Sequence, residues 1–283
     1  MKRKILLILP LLISLFFVGV QPISAEEAKV DYGKIYNEGI ADKAIDPVNV
    51  NYADWITQNN TEFIPVYRQA INAKIINSNT SYAEWLRANN YGQMPEDNSN
   101  DLMVYTLAKS GGSFKFRTGD MLLTNHTSSY GILGHIAIAT SSINIVDLPG
   151  KSGLKPLPNN NRHISIKKWL SQYSKGKEYV KVYRIKSKSL ANKVGTYAYH
   201  RFWAGKYSSG KHVHITYSLT PHLYSLSPSY CSKLVFQAYY YGSGKEKVVV
   251  PERGIVTPYG MVNKNTPHPV IYKKYGLKLV KTY

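Results

Sequence analysis

The apolar and polar positions of the chain fall into three regimes. From Ile5 to Val20 the residues are almost wholly apolar, after a basic start of Lys2, Arg3 and Lys4 and before Ile23-Ser24-Ala25 and the acidic pair Glu26-Glu27. That order is the signature of a secretory leader, so residues 1–25 are expected to be a signal peptide and the mature chain to be secreted or held at the cell envelope. An uncleaved anchor is the alternative, although the run falls short of the ~20 residues that span a bilayer comfortably. From residue 26 to 110 the spacing is helical and contains a near-repeat: Tyr52-Ala53-Asp54-Trp55-Ile56 returns as Tyr82-Ala83-Glu84-Trp85-Leu86, each followed by a double asparagine at the same offset. Two copies are too few for a solenoid. They predict a pair of similar helices whose Trp and Ile or Leu face the core, since aromatics at helical spacing are more often core than binding surface.

The turn cluster Ser110-Gly111-Gly112-Ser113 separates this helical appendage from sequence of shorter period. Phe114–Arg117, Gly119–Leu123, Gly134–Ala139 and Ile143–Leu148 read as strands, followed by a helix over 164–173, a strand over 179–185 and a helix over 190–203. The stretch 205–228 is irregular, and 231–241 is helical with Leu234, Val235, Ala238 and Tyr239 on one face. The sum over 111–283 is an α+β domain built on an antiparallel sheet.

Charge narrows the partners. The chain carries 36 Lys and Arg against 17 Asp and Glu. With the three leader cations removed, the surplus over acids is still strongly positive, which fits an anionic wall polymer or an acidic lipid surface. No nucleic-acid-binding module is present, so DNA and RNA are not expected partners. His212-Val213-His214 offers two imidazoles on one strand face, too few for a zinc site without further ligands. No phosphate loop or zinc-protease helix appears either, so neither cofactor nor metal is expected.

The single cysteine, Cys231, cannot form an internal disulfide, and a free thiol in a secreted protein is an oxidation liability unless chemistry retains it. A buried cysteine acting as a small hydrophobe is the bland alternative. Its position at the start of a helix favours the thiolate, through unpaired N–H groups and the helix dipole, with Ser229 or Ser232 as candidate caps. A thiol nucleophile also needs a base. In Gly134-His135-Ile136-Ala137-Ile138-Ala139 the alternation puts His135 on one face with two alanines, which leaves room for the cysteine helix to lie against it. If Thr140-Ser141-Ser142 is a three-residue loop, His135 faces Asp147 across the hairpin; a two-residue loop would pair it with Leu148 instead.

Gly119-Asp120, then Gly134-His135-Ile136-Ala137-Ile138, Val146-Asp147, and much later Tyr230-Cys231-Ser232-Lys233-Leu234-Val235, together resemble the circularly permuted branch of the NlpC-type, papain-like hydrolases (YiiX-like proteins). There, as here, the histidine strand precedes the cysteine helix. The resemblance covers roughly residue 114 to the C terminus and implies a papain-like fold with a Cys-His-polar triad, hence Cys231, His135 and Asp147. The third member in that branch is commonly Glu, so Asp147 is a departure. Tyr230, with the Cys231 backbone N–H, is the expected oxyanion site, and Ser232 is the neighbouring candidate for substrate contact. The activity expected is hydrolysis of amide bonds, in cell-wall peptides, through an acyl-enzyme. An acyl- or lipid-directed hydrolase or transferase on the same fold, or a non-catalytic wall-binding protein, are the alternatives.

Overall fold

A computed structural model describes residues 30–72, 74–95, 114–126, 132–150, 156–264 and 269–283. The expected leader and the Ser110–Ser113 turn lie outside the described residues.

Four helices come first: α1 (Tyr32–Ala41), α2 (Tyr52–Gln58), α3 (Ile64–Asn72) and α4 (Tyr82–Ala88). The near-repeat proves to be one helical design used twice. Asn51 and Ser81 cap α2 and α4 by accepting from Asp54 N and Glu84 N. In both, a tyrosine stacks on the tryptophan three residues later. The first asparagine of each pair turns back to the tryptophan carbonyl, Asn59 Nδ2 to Trp55 O at 2.7 Å and Asn89 Nδ2 to Trp85 O at 2.9 Å. Both tryptophans are buried, in an aromatic cluster with Tyr32, Tyr36, Tyr67 and Tyr82. They pack chiefly on the helical segment's own rings, and the segment is tied to the sheet elsewhere: Leu133 N donates to Asn89 Oδ1, and the Tyr183 hydroxyl to Pro95 O.

The sheet is antiparallel, with strand order β4-β3-β2-β1-β5-β6. Its strands are β1 (Met121–Thr124), β2 (His135–Ala139), β3 (Asn144–Asp147), β4 (Arg162–Ser165), β5 (Val180–Arg184) and β6 (Lys278–Thr282). Every residue of β1 and β2 is buried, because these central strands are covered on both faces. The face bearing Leu122, Ala137, Ala139, Val180 and Val182 is filled by Ile166, Trp169 and Tyr173 of α5 (Ile166–Tyr173). Two large rings of α5 thus take the room beside the alanines, while the cysteine helix still packs against β2. Phe114–Arg117, expected as a strand, forms no ladder, and the edge strands β4 and β6, which the apolar pattern does not announce, complete the sheet. Edge strands are half-buried and polar, so alternation marks them weakly.

Helix α6 (Lys188–Tyr199) continues as a π-helical turn, His200–Ala204, and packs against α7 (Cys231–Gly242). Gly195 makes the approach of α6 to the end of β2 possible: a Cβ there would sit 2.4 Å from Thr118 Cγ2 and 2.7 Å from the Ala139 carbonyl oxygen. The Tyr239 hydroxyl anchors α7 on Gly119 O at 2.6 Å. The short α8 (Pro258–Val262) presents Tyr259 to Gly134, the residue before His135. Gly134 has φ +75°, and a Cβ on it would lie 2.5 Å from the Tyr259 ring and 2.9 Å from Thr124 O. Gly134→Ala is expected to lower unfolding free energy by more than about 2 kcal/mol in a denaturant titration, through left-handed backbone strain and the lost ring contact together. An unchanged midpoint would show that the β1–β2 connection yields at little cost. Among the described residues, no helix is long and apolar enough to cross a membrane.

Candidate active site

Cys231 is the first residue of α7 and is buried; the N-cap, Tyr230, has extended backbone and gives no side-chain capping bond. Neither Ser229 nor Ser232 caps the helix as the sequence suggested. Ser232 Oγ donates to Val256 O at 2.7 Å, and the Tyr230 hydroxyl accepts from Val256 N at 3.2 Å. These two residues fasten the 256 loop to the helix start, and both hydroxyls are engaged with that loop. The uncapped first turn leaves backbone N–H groups beside the sulfur, where partial positive charge favours an anion. That signal lies in the backbone, so it does not depend on the Tyr230 side chain.

His135 opens β2 and is buried. Its Nε2 bonds Asp147 Oδ2 at 2.9 Å. Nδ1 has no partner of ordinary hydrogen-bond geometry, while the Cys231 thiol acts on the same ring. With Nε2 engaged, Nδ1 is the nitrogen left to exchange a proton with the sulfur. Burial disfavours the imidazolium, but the Asp147 hydrogen bond and the Cys231 sulfur outweigh it, and the ring's pKa is pushed up to about 9.

The route by which Asp147 reaches this ring differs from the expected one. Ile138 pairs with Val146 and Ala139 with Ile145, so the turn is Ser141–Ile143 and the same register sets Asp147 opposite Ala137. His135 lies two residues farther along. The slip is an even number of residues, so Asp147 keeps the face and reaches the imidazole as a diagonal neighbour.

Asp147 is also the hub of a shell that sequence reading missed. Arg162, directly opposite it in the β3–β4 ladder, grips it with two bonds, Nε to Oδ1 at 2.7 Å and Nη2 to Oδ2 at 2.9 Å. Trp169 Nε1 donates to Oδ2 at 2.8 Å. Burial opposes ionisation, but His135 and Arg162 together hold the carboxyl below its ordinary range. Arg162 also donates to the Tyr173 hydroxyl at 3.0 Å, and the Trp169 and Tyr173 rings lie 5.9 and 5.2 Å from the imidazole. Only the i, i+4 spacing of Trp169 and Tyr173 hinted that they share a helix face.

The arrangement is a buried thiol at an open helix start, an imidazole with one nitrogen free for it, and a clamped anion on the other nitrogen. It can generate a thiolate-imidazolium pair and return the proton to a leaving group. Two residues after Cys231 in sequence, Lys233 is buried without a carboxylate: its Nζ donates to Pro228 O at 2.7 Å and Ser225 Oγ at 3.0 Å, and burial pushes it down to about 8. It braces the segment leading into Cys231. His214, one of the pair considered for zinc, bonds Asn159 Oδ1 through Nδ1, and among the described residues no group of three or more His, Cys, Asp or Glu is placed to hold a metal.

Comparison with known proteins gives two matches. Residues 96–283 match the family described as "Lipoprotein N-acylation protein LnsA-like". A Bacillus thuringiensis protein described as an uncharacterized 30.3 kDa protein is 38% identical over 283 residues, covering the whole of both chains. No solved structure matches.

Proposed function

Because this chain belongs to the family of LnsA-like lipoprotein N-acylation proteins, we propose that it is an envelope enzyme that carries an acyl group on Cys231 and delivers it to an amine of a lipoprotein. The observation that carries the reading is the His135 ring, with Nε2 on Asp147 and Nδ1 left for the thiol. The Cys231 thiolate attacks the carbonyl of an acyl ester; a C–S bond forms, the C–O bond breaks, and the departing alkoxide takes its proton from the His135 imidazolium. The acceptor amine then attacks the thioester. A C–N bond forms, the C–S bond breaks, and the amine's proton passes by way of His135, restoring the starting pair. The backbone N–H groups at the start of α7 are the donors best placed to steady the oxyanion in both steps. No cofactor enters either step.

The family's description names acylation, and this moves the reading from the wall-peptide amidase expected first to the acyl-directed alternative. The same dyad serves both, since each passes through an acyl-enzyme. A permuted papain-like scaffold suits the order found here, with the histidine strand ahead of the cysteine helix. The test incubates the protein with membrane phospholipid and a synthetic diacylglyceryl-cysteine peptide bearing a free amine, followed by intact mass spectrometry. The expected result is a protein adduct of one fatty acyl group, labile to hydroxylamine and mapped to Cys231, and an N-acylated peptide. Cleavage of wall peptides with neither product would overturn the reading in favour of the amidase.

A further inference from the structure

The positive charge of this protein is concentrated in one part of the chain. Residues 148–245 contain 17 Lys and Arg and a single acid, Glu178. Apart from the three cations at residues 2–4, the rest of the chain has 16 basic and 16 acidic residues and is neutral. Even Glu178 is taken up, by the His126 ring.

Within this segment the π-helical turn His200–Ala204 and the loop after it fold back against the segment leading into edge strand β4. Asn161 holds them there, donating to Phe202 O at 2.6 Å and Val213 O at 2.8 Å and accepting from Ile215 N at 2.9 Å. The His163 ring of β4 lies 5.7 Å from Trp203. Cations and rings alternate on the outer side: Lys211 sits over Trp203 at 5.0 Å and Lys206 over Tyr207 at 4.9 Å. Tyr207 is 88% exposed, and Lys206 and His212 of the same loop are exposed. The same loop runs on to the candidate nucleophile, for Ser229 N, two residues before Cys231, donates to Thr216 O.

We propose that Trp203, Lys206, Tyr207, Lys211 and His212 form a docking face for an anionic lipid bilayer, which brings the approach to Cys231 to the headgroup level. A wall polyanion would need only the charges. An exposed tyrosine and a half-buried tryptophan set among lysines suit the bilayer interface, where the ring meets the acyl boundary and the cation the anionic headgroups. The choice of lipid also rests on the acyl-transfer reading, because both its substrates reside in membranes.

The test is sedimentation of the folded protein with vesicles of phosphatidylcholine alone and of phosphatidylcholine with phosphatidylglycerol, from 0.1 to 1 M salt. Binding is expected only to the anionic vesicles and should weaken with salt as the screening length falls from about 10 to about 3 Å. Each cation at an anionic bilayer is worth about a fivefold factor, so Lys206→Glu with Lys211→Glu should weaken partition about 25-fold or more. Lys273→Glu with Lys274→Glu, equally charged but outside the face, should stay within about twofold. Tyr207→Ala should weaken binding most at high salt, where the ring contact persists. Equal binding of the Lys206/Lys211 variant and the parent, equal binding to neutral vesicles, or retention on anionic wall polymer but not on vesicles would each overturn the proposal. Acylation of Cys231 by a soluble short-chain activated ester, run on the same samples, separates the two readings: if it succeeds while vesicle binding fails, docking alone falls. If it fails while binding holds, the acyl-transfer chemistry falls.

Discussion

Cys231→Ser is expected to lower acyl transfer by roughly a thousandfold or more and to leave the fold intact. The sulfur is the one group at the site able to give a strong nucleophile near neutral pH, since its proton can pass to His135 and a serine hydroxyl holds its own far more tightly. The fold should survive because serine is close in size to cysteine and adds no bulk to the buried start of α7. Cys231→Ala is the companion variant: it offers Nδ1 nothing and should be equally inactive. Both are read by intact mass after incubation with acyl donor, beside a thermal melt. An acyl adduct persisting in Cys231→Ala would place the nucleophile elsewhere.

The second large effect is expected at Asp147. Asp147→Asn removes the charge that faces His135, Arg162 and Trp169 while retaining an oxygen to accept from some of them. Turnover should fall by about a hundredfold or more, because an amide can hold the ring but cannot stabilise the imidazolium by charge. The direction of the pH profile follows from the same charge. His135 is raised to about 9 with Asp147 as one cause, so acyl transfer in the parent, which needs the imidazolium as acid, should fall away as pH rises through that value. Without the carboxylate the ring loses its proton more easily, and the alkaline limb should move toward neutrality. Stability carries the same sign: a histidine raised in the folded state stabilises fully below its unfolded pKa of about 6.5, and that contribution is lost as pH rises through about 9. Asp147→Ala should cost more, about 3–5 kcal/mol, since it strands the Arg162 guanidinium with half of its partners gone. Superimposable pH profiles for the parent and Asp147→Asn would show that Asp147 does not tune the imidazole.

Some of this was readable in the residues alone. The start of the cysteine helix is local information, set by an apolar face at 3.6-residue spacing, and the structure begins α7 at Cys231 itself. That His135 and Asp147 share a face was readable too, because alternation has period two and survives any even change of register. The register itself was not. It depends on which residues close the β2–β3 turn, and the hydroxyl of Ser141, which accepts from Ile143 N and Asn144 N, moves that turn one residue beyond the expected loop. Composition announced a basic protein, and the strands β1, β2, β3 and β5 stood out by their apolar runs. Tertiary structure alone decided the rest. Arg162 and Trp169 meet Asp147 because an edge strand with little apolar signal pairs with β3 and turns at once into α5. Trp169 and Tyr173, not the cysteine helix, fill the space beside Ala137 and Ala139, since large rings bury more surface there than a helix start could. The Tyr230 and Ser232 hydroxyls went to Val256, because buried polar groups take the nearest backbone partner, and that partner is brought in from more than twenty residues away by the fold. Local periodicity fixes which face a side chain occupies; which groups meet on that face is settled by packing between segments distant in sequence.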